Sequence, residues 1–183
     1  MQFVEFMQAN GHEELAVWTD PAVGLKAFIA IHDSTLGPAL GGTRIWPHAT
    51  DEDAIMDVLR LSRAMTYKSS MAGLNLGGGK SVVLLDRPEQ KTPELLKSFA
   101  ERLTLLKGSY IGAGDIGSNT HDLQIMRQYN PWITGLAKED GGEDPGGEEG
   151  ARGADPHQPG EEQRRRAGRE AFDELADEDL ALD

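Results

Sequence analysis

Two lysines and one aspartate are the residues of this 183-residue chain best suited to do chemistry. Lys68 and Lys80 bracket the segment Lys-Ser-Ser-Met-Ala-Gly-Leu-Asn-Leu-Gly-Gly-Gly-Lys, and Asp115 stands among Gly112, Gly114 and Gly117. Lysines are usually solvated surface charges. Lys68, however, ends an apolar helical face, and Lys80 lies between a triple-glycine turn and an apolar strand pattern, so both are candidates for a buried cation. A lysine that is partly desolvated beside a second cation loses its proton more readily than its reference pKa of about 10.4 implies, and so can serve as a general base near neutral pH. The other lysine keeps its charge and can hold a carboxylate, while a nearby aspartate can exchange a proton with an amine. From spacing alone, three separate surface charges are the simpler reading.

Two nucleotide-site patterns cross the same residues, and neither is complete. Gly79-Lys80-Ser81 resembles the end of a phosphate-binding loop, but the glycine required five positions before Gly79 is replaced by Leu74. Such a loop also leads from strand into helix, whereas Ser81 opens a strand pattern. Gly112-x-Gly114-x-x-Gly117 matches the dinucleotide fingerprint literally. Yet Asp115 would set a carboxylate against the pyrophosphate, and no second strand ending in an acid follows about twenty residues later.

The elements that must position these residues follow from periodicity. Leu15 to Trp18 and Leu25 to His32 read as strands, the second apolar enough to be buried on both faces. Gly37 to Trp46 reads as a strand whose glycines admit close approach, or as a glycine-rich turn. Thr50 caps a helix with Asp51, Glu52 and Asp53 in its first turn; Ala54, Val58, Leu61 and Met65 form its apolar face, and it ends near Lys68. Ser81 to Leu85 is a buried strand. Thr92 and Pro93 open a second helix with a face of Leu96, Phe99, Leu103 and Leu106, stopped at Gly108. Tyr110-Ile111 forms a short strand, Asn119 or Thr120 caps a third helix bearing Leu123 and Met126, and Trp132 to Thr134 is the last strand. Alternating helices and apolar strands predict an α/β, three-layer open, mostly parallel sheet.

Charge divides the chain. Residues 1–137 carry a balance of −3 and residues 138–183 a balance of −10. The second segment is Gly-, Glu- and Asp-rich with almost no apolar residues, which predicts a disordered acidic tail; Phe172, Leu175, Ala176 and Leu180 could alternatively form a short amphipathic helix. The domain reading is therefore 1–137 for a substrate-binding and oligomerisation unit and 138–183 for the tail. Basic residues are nowhere concentrated, which argues against a nucleic-acid partner. No stretch reaches membrane-spanning length, and Met1 to Asn10 lacks a signal-peptide pattern; with no cysteine in the chain, a cytoplasmic protein is the expectation. No metal site is expected either.

Gly37 to Trp46, Met65 to Ser81 and Tyr110 to Gly117, in that order and spacing, resemble the N-terminal, substrate-binding domain of the Glu/Leu/Phe/Val amino-acid dehydrogenases. The resemblance runs over about residues 13 to 142 and is strongest to the leucine, valine and phenylalanine dehydrogenases. It implies that Lys68 binds the substrate α-carboxylate, that Lys80 activates the water attacking an imine, and that Asp115 shuttles the amine proton. Gly41, Gly42 and Gly78 would line the pocket with their backbone, with Met65 nearby and Thr134 on the far wall. The implied reaction is NAD-dependent oxidative deamination of an L-amino acid to a 2-oxo acid and ammonia, in a homo-oligomer. Leu40 stands where the glutamate-specific branch has a lysine, which implies an aliphatic or aromatic substrate.

Members of that family continue into a Rossmann domain that binds NAD. This chain instead turns to Glu143-Asp144-Pro145-Gly146-Gly147-Glu148-Glu149, which leads to the expectation of a reading-frame shift near Gly142 and of a polypeptide with no bound NAD and no turnover on its own. The alternative is a non-catalytic amino-acid-binding or assembly module with an acidic solubilising tail.

Overall fold

The computed structural model describes residues 2–136. The expectations for the tail at 138–183, and for a frame shift near Gly142, lie outside the described residues.

Five strands form one sheet: β1 (Glu14–Asp20), β2 (Leu25–Asp33), β3 (Ala39–Trp46), β4 (Gly77–Leu84) and β5 (Tyr110–Gly114), in the order β1-β2-β4-β3-β5. β3 pairs in parallel with both β4 and β5, while β2 is antiparallel to β1 and β4. Four strands thus point one way and β2 alone opposes them, giving the mostly parallel sheet expected. Four helices flank it: α1 (Gln2–Asn10), α2 (Asp51–Met71), α3 (Pro93–Leu103) and α4 (Thr120–Arg127).

The layers follow from the pleat of β2, whose successive residues face opposite sides. Ala27, Ile29 and Ile31 join Val83, Leu95, Leu96, Phe99, Leu103 and Met126 in a core beneath α3 and α4. Phe28 and Ala30 join Val82, Ala54, Val58 and Leu59 in a second core beneath α2, with Phe3, Phe6 and Met7 of α1 packed on it. A strand buried on both faces and helices on both sides make three layers.

Local chemistry sets the helix ends. The Thr50 hydroxyl accepts from the Asp53 N–H at 3.0 Å, Thr92 accepts from the Leu95 N–H at 3.2 Å, and Asn119, not Thr120, caps α4 in a reciprocal pair with Asp122. α2 runs one turn fraction past Lys68, to Met71. α3 ends at Leu103, and Leu106 falls in a following 3-10 turn that Lys107 closes at φ +50, ahead of Gly108 at φ +84.

Two expectations about strands are corrected. The triple glycine is not a turn before the strand: Gly77 to Gly79 are the first residues of β4, held flat between β2 and β3 by ladder hydrogen bonds. Trp132 to Thr134 is not a strand. Only Ile133 bridges to Gly112, with the Gly112 N–H donating to the Trp132 carbonyl and the Thr134 N–H to the Gly112 carbonyl. Gly135 adopts φ +87 immediately afterwards, which turns the chain before a longer ladder can form.

Candidate active site

Lys80 projects from β4 on the side of the sheet that α2 covers, two residues before Val82 of the α2 core. Its Nζ lies 2.6 Å from Oδ2 of Asp115, the residue that follows β5. Lys80 is only 5% exposed, whereas the Asp115 side chain is 22% exposed, so the lysine is withdrawn from water and the carboxylate keeps some contact with it. Burial pushes the Asp115 carboxyl up, but the hydrogen bond and charge of Lys80, with the charge of Arg44, outweigh it and hold the carboxyl below its ordinary value. Asp115 is therefore a carboxylate at neutral pH.

Between the two sits Gly42 of β3. A Cβ at Gly42 would lie 2.8 Å from the Asp115 Cβ and 3.3 Å from the Lys80 Nζ, so a side chain there would occupy the space of the ion pair. Two backbones also meet closely alongside: a Cβ on Gly41 would fall 1.8 Å from the Gly79 carbonyl oxygen. On the opposite sheet face the buried Tyr110 hydroxyl donates to the Gly41 carbonyl at 2.9 Å and lies 3.0 Å from Ser81 Oγ, which fixes β3 against β4 and β5 from below.

Lys80 also lines an open pocket of about 460 Å³ with Lys68 and the apolar side chains Leu61, Ala64, Met65, Met71 and Ala72. Two ammonium groups facing an apolar wall can take a ligand with a carboxylate at one end and a hydrocarbon at the other. A separate pocket of about 290 Å³ beside Trp46, Leu85 and Pro88 contains none of the sequence-predicted site residues.

Of the residues singled out in sequence, the structure brings Lys80, Asp115 and Gly42 into one cluster and Met65, Lys68 and Lys80 into one pocket. Lys68 is not buried as expected. It stands exposed in the last turn of α2, on the pocket rim, and among the described residues it has no ion-pair partner. Gly78 faces α2 rather than open space: a Cβ there would lie 2.1 Å from the Thr66 backbone nitrogen, so this glycine lets the helix settle on β4. Leu40 pairs with Gly78 and Ile111 across the sheet, and Thr134 hydrogen-bonds to Gly112; neither lines the pocket.

Three polar residues of the cluster escaped the sequence reading. Arg44 donates through Nε to Asp115 Oδ2 at 3.1 Å and through Nη1 to Asp57 Oδ2 at 2.8 Å, and His48 Nε2 lies 2.9 Å from the same Asp57 oxygen. The available signal was the position of Arg44 two residues beyond Gly42, on the same strand face.

The glycine pattern around Asp115 is not a dinucleotide cradle. A Cβ on Gly112 would meet Ile133, one on Gly114 would meet Leu123, and one on Gly117 would fall 1.9 Å from the Ile45 carbonyl oxygen, so all three glycines serve packing. Gly79-Lys80-Ser81 lies inside a strand reached from a helix, the reverse of a phosphate loop. Neither glycine pattern therefore forms a phosphate cradle.

A three-layer α/β domain in which a buried lysine within β4 pairs with a half-buried aspartate at the end of β5 is the class that fold and site define. The chain belongs to the Glu/Leu/Phe/Val dehydrogenases: the model of their dimerisation domain matches residues 13–131. It is 45% identical over 137 residues to leucine dehydrogenase of Bacillus subtilis (strain 168), covering 75% of this chain and 38% of that protein. It is 47% identical over 133 residues to valine dehydrogenase of Streptomyces virginiae, covering 73% of this chain and 37% of that one. L-tryptophan dehydrogenase from Nostoc punctiforme superimposes with a TM-score of 0.70 at 39% identity, over 72% of this chain and 39% of the other. The chain thus spans under half the length of these relatives. No helix among the described residues is long and apolar enough to cross a membrane.

Proposed function

We propose that this chain is the substrate-binding part of an amino-acid dehydrogenase, recognising an aliphatic or aromatic L-amino acid and its 2-oxo acid. The observation that carries this reading is the Lys80–Asp115 pair at 2.6 Å, whose buried lysine opens on a pocket with a second ammonium and an apolar wall. Lys68 takes the α-carboxylate from the rim. Its exposure in the free chain is what a first-contact cation requires, and bound substrate would cover it. Lys80 activates the water that attacks the imine, and the Asp115 carboxylate accepts the proton that leaves the amine. Leu61, Met65 and Met71 receive the side chain, and none of them offers a cation for a second carboxylate.

NAD supplies the hydride acceptor for the whole reaction, and the described residues offer it no cradle. We further propose that the 183-residue polypeptide alone produces no NADH from leucine, valine or phenylalanine. Assembly into a homo-oligomer is part of the proposal, supported by the match to a dimerisation domain.

Calorimetric titration of the purified chain with L-leucine, L-phenylalanine and 4-methyl-2-oxopentanoate tests the reading. Saturable binding that disappears in Lys68→Ala is expected. Binding unaffected by Lys68→Ala, or absent for every ligand while the fold is intact, would leave assembly as the function of the domain.

A further inference from the structure

Asp115 carries two cations on a single oxygen: Lys80 Nζ and Arg44 Nε both approach Oδ2. The two cations are chemically unequal. An ammonium can give up its proton or swing toward a ligand, whereas a guanidinium stays charged at any pH a folded protein meets. Whenever Lys80 is neutral or turned toward substrate, Arg44 is the cation left to keep Asp115 ionised and in place.

Arg44 can do this only if its plane is fixed. Nε is spent on Asp115 and Nη1 on Asp57 of α2, so one guanidinium spans two carboxylates from two different elements. Asp57 is in turn held by His48 Nε2 on the same oxygen that Arg44 uses. Arg44 is mostly covered, with 18% of its side chain exposed, so solvent does not readily replace either contact. A lysine cannot reproduce this bridge, because a point charge has no second edge to offer.

We propose that Arg44 is a positioning residue for Asp115, clamped by Asp57 and His48, which keeps the carboxylate charged and aimed while Lys80 changes its proton or its partner. This deepens the proposed function and rests on Asp115 carrying a proton there. Its test needs no turnover and no ligand, so it fails separately from that reading.

The experiment is NMR on the intact 183-residue chain. In wild type the Arg44 Nε–H should exchange slowly with solvent at pH 7. In Asp57→Asn, which keeps the shape of α2 and leaves Arg44 in place, exchange should quicken about tenfold as the clamp loosens. A carbon-detected titration of the Asp115 carboxyl, assigned with Asp115→Asn, should show its midpoint moving up by about one pH unit in Arg44→Gln, with Arg44→Lys recovering only part. Unchanged protection of the Arg44 Nε–H in Asp57→Asn would overturn the clamp, and so would an Asp115 midpoint in folded Arg44→Gln equal to that of wild type. If Arg44→Gln fails to fold, the Asp57→Asn exchange rate decides alone.

Discussion

The two faces of the sheet do different work with the same strands. Beneath α3 and α4 every inward residue of β2 is aliphatic, and Phe99, Leu103 and Met126 close over them without a charge among them. Beneath α2 an apolar set, Phe28 and Val82 against Val58 and Leu59, adjoins Lys80 of β4, Arg44 of β3 and Asp57 of α2 itself. β4 shows the split within one strand: Val83 packs on the first face, while Lys80 and Val82 lie on the second. Stability can be concentrated on one side, which leaves the other free to carry charges that add little to it.

That division makes graded predictions. The largest effect should come from the dry face: Phe99→Ala empties a fully buried site and should cost about 3–5 kcal/mol in urea denaturation, without abolishing ligand binding in the molecules that stay folded. A milder loss would mean that the α3 face is not the main store of stability. Next, Gly78→Ala places a Cβ against the Thr66 backbone, so α2 must shift; about 1–3 kcal/mol should be lost, together with binding in the pocket that α2 walls. Retained binding would separate the pocket from the seat of the helix.

A smaller, pH-dependent effect should arise behind α2, where the His12 and His32 rings meet edge to face at 4.7 Å. Burial lowers both imidazoles below 6.5, and the charge of Arg63 adds to this; for His32 so does His12, with backbone carbonyls and Asp33 pulling the other way. His12 Nδ1 has no hydrogen-bond partner that could receive a second ring proton. Below 6.5 the unfolded chain binds these protons more readily than the folded one, so stability is fully present above that pH and is lost as pH falls through the depressed folded values. Urea midpoints measured from pH 8 to pH 5 should decline in that direction, and the decline should shrink in His12→Gln; a flat profile would show the pair to be accessible to water. The smallest change in stability, within about 0.5 kcal/mol, is expected for exposed Lys68→Ala, although this variant should lose ligand binding.

Much of this division was legible in the sequence. β2 announced burial on both faces by its unbroken apolar run, and the capped helices announced themselves through Thr50, Thr92 and Asn119. The Lys80 and Asp115 positions were recognisable because glycine-rich segments surround them. Less legible were the glycines' partners, since close approach is a property of two strands and a sequence displays one at a time. Gly78 looked like pocket lining, and its actual neighbour, Thr66, is on a helix. α1 was overlooked, although Phe3, Phe6 and Met7 have helical spacing. Arg44 was missed for a different reason: its value depends on Asp57 and Asp115, which come from different elements, and no local pattern reports such a bridge.

The β3–β5 pairing has a kinetic consequence. Arg44 and Asp115 are 71 residues apart in the chain and become neighbours only when the intervening α2, β4 and α3 have been laid down around β3. Closing so long a loop is entropically costly before its contacts repay it, so parallel pairing of this kind belongs to the slow part of folding. Helices α2 and α3 can begin to form from local signals well before the lysine, arginine and aspartate converge. The cluster should therefore be among the last features acquired by a refolding molecule and among the first surrendered by an unfolding one, which would make its ion pairs a reporter of the completed sheet.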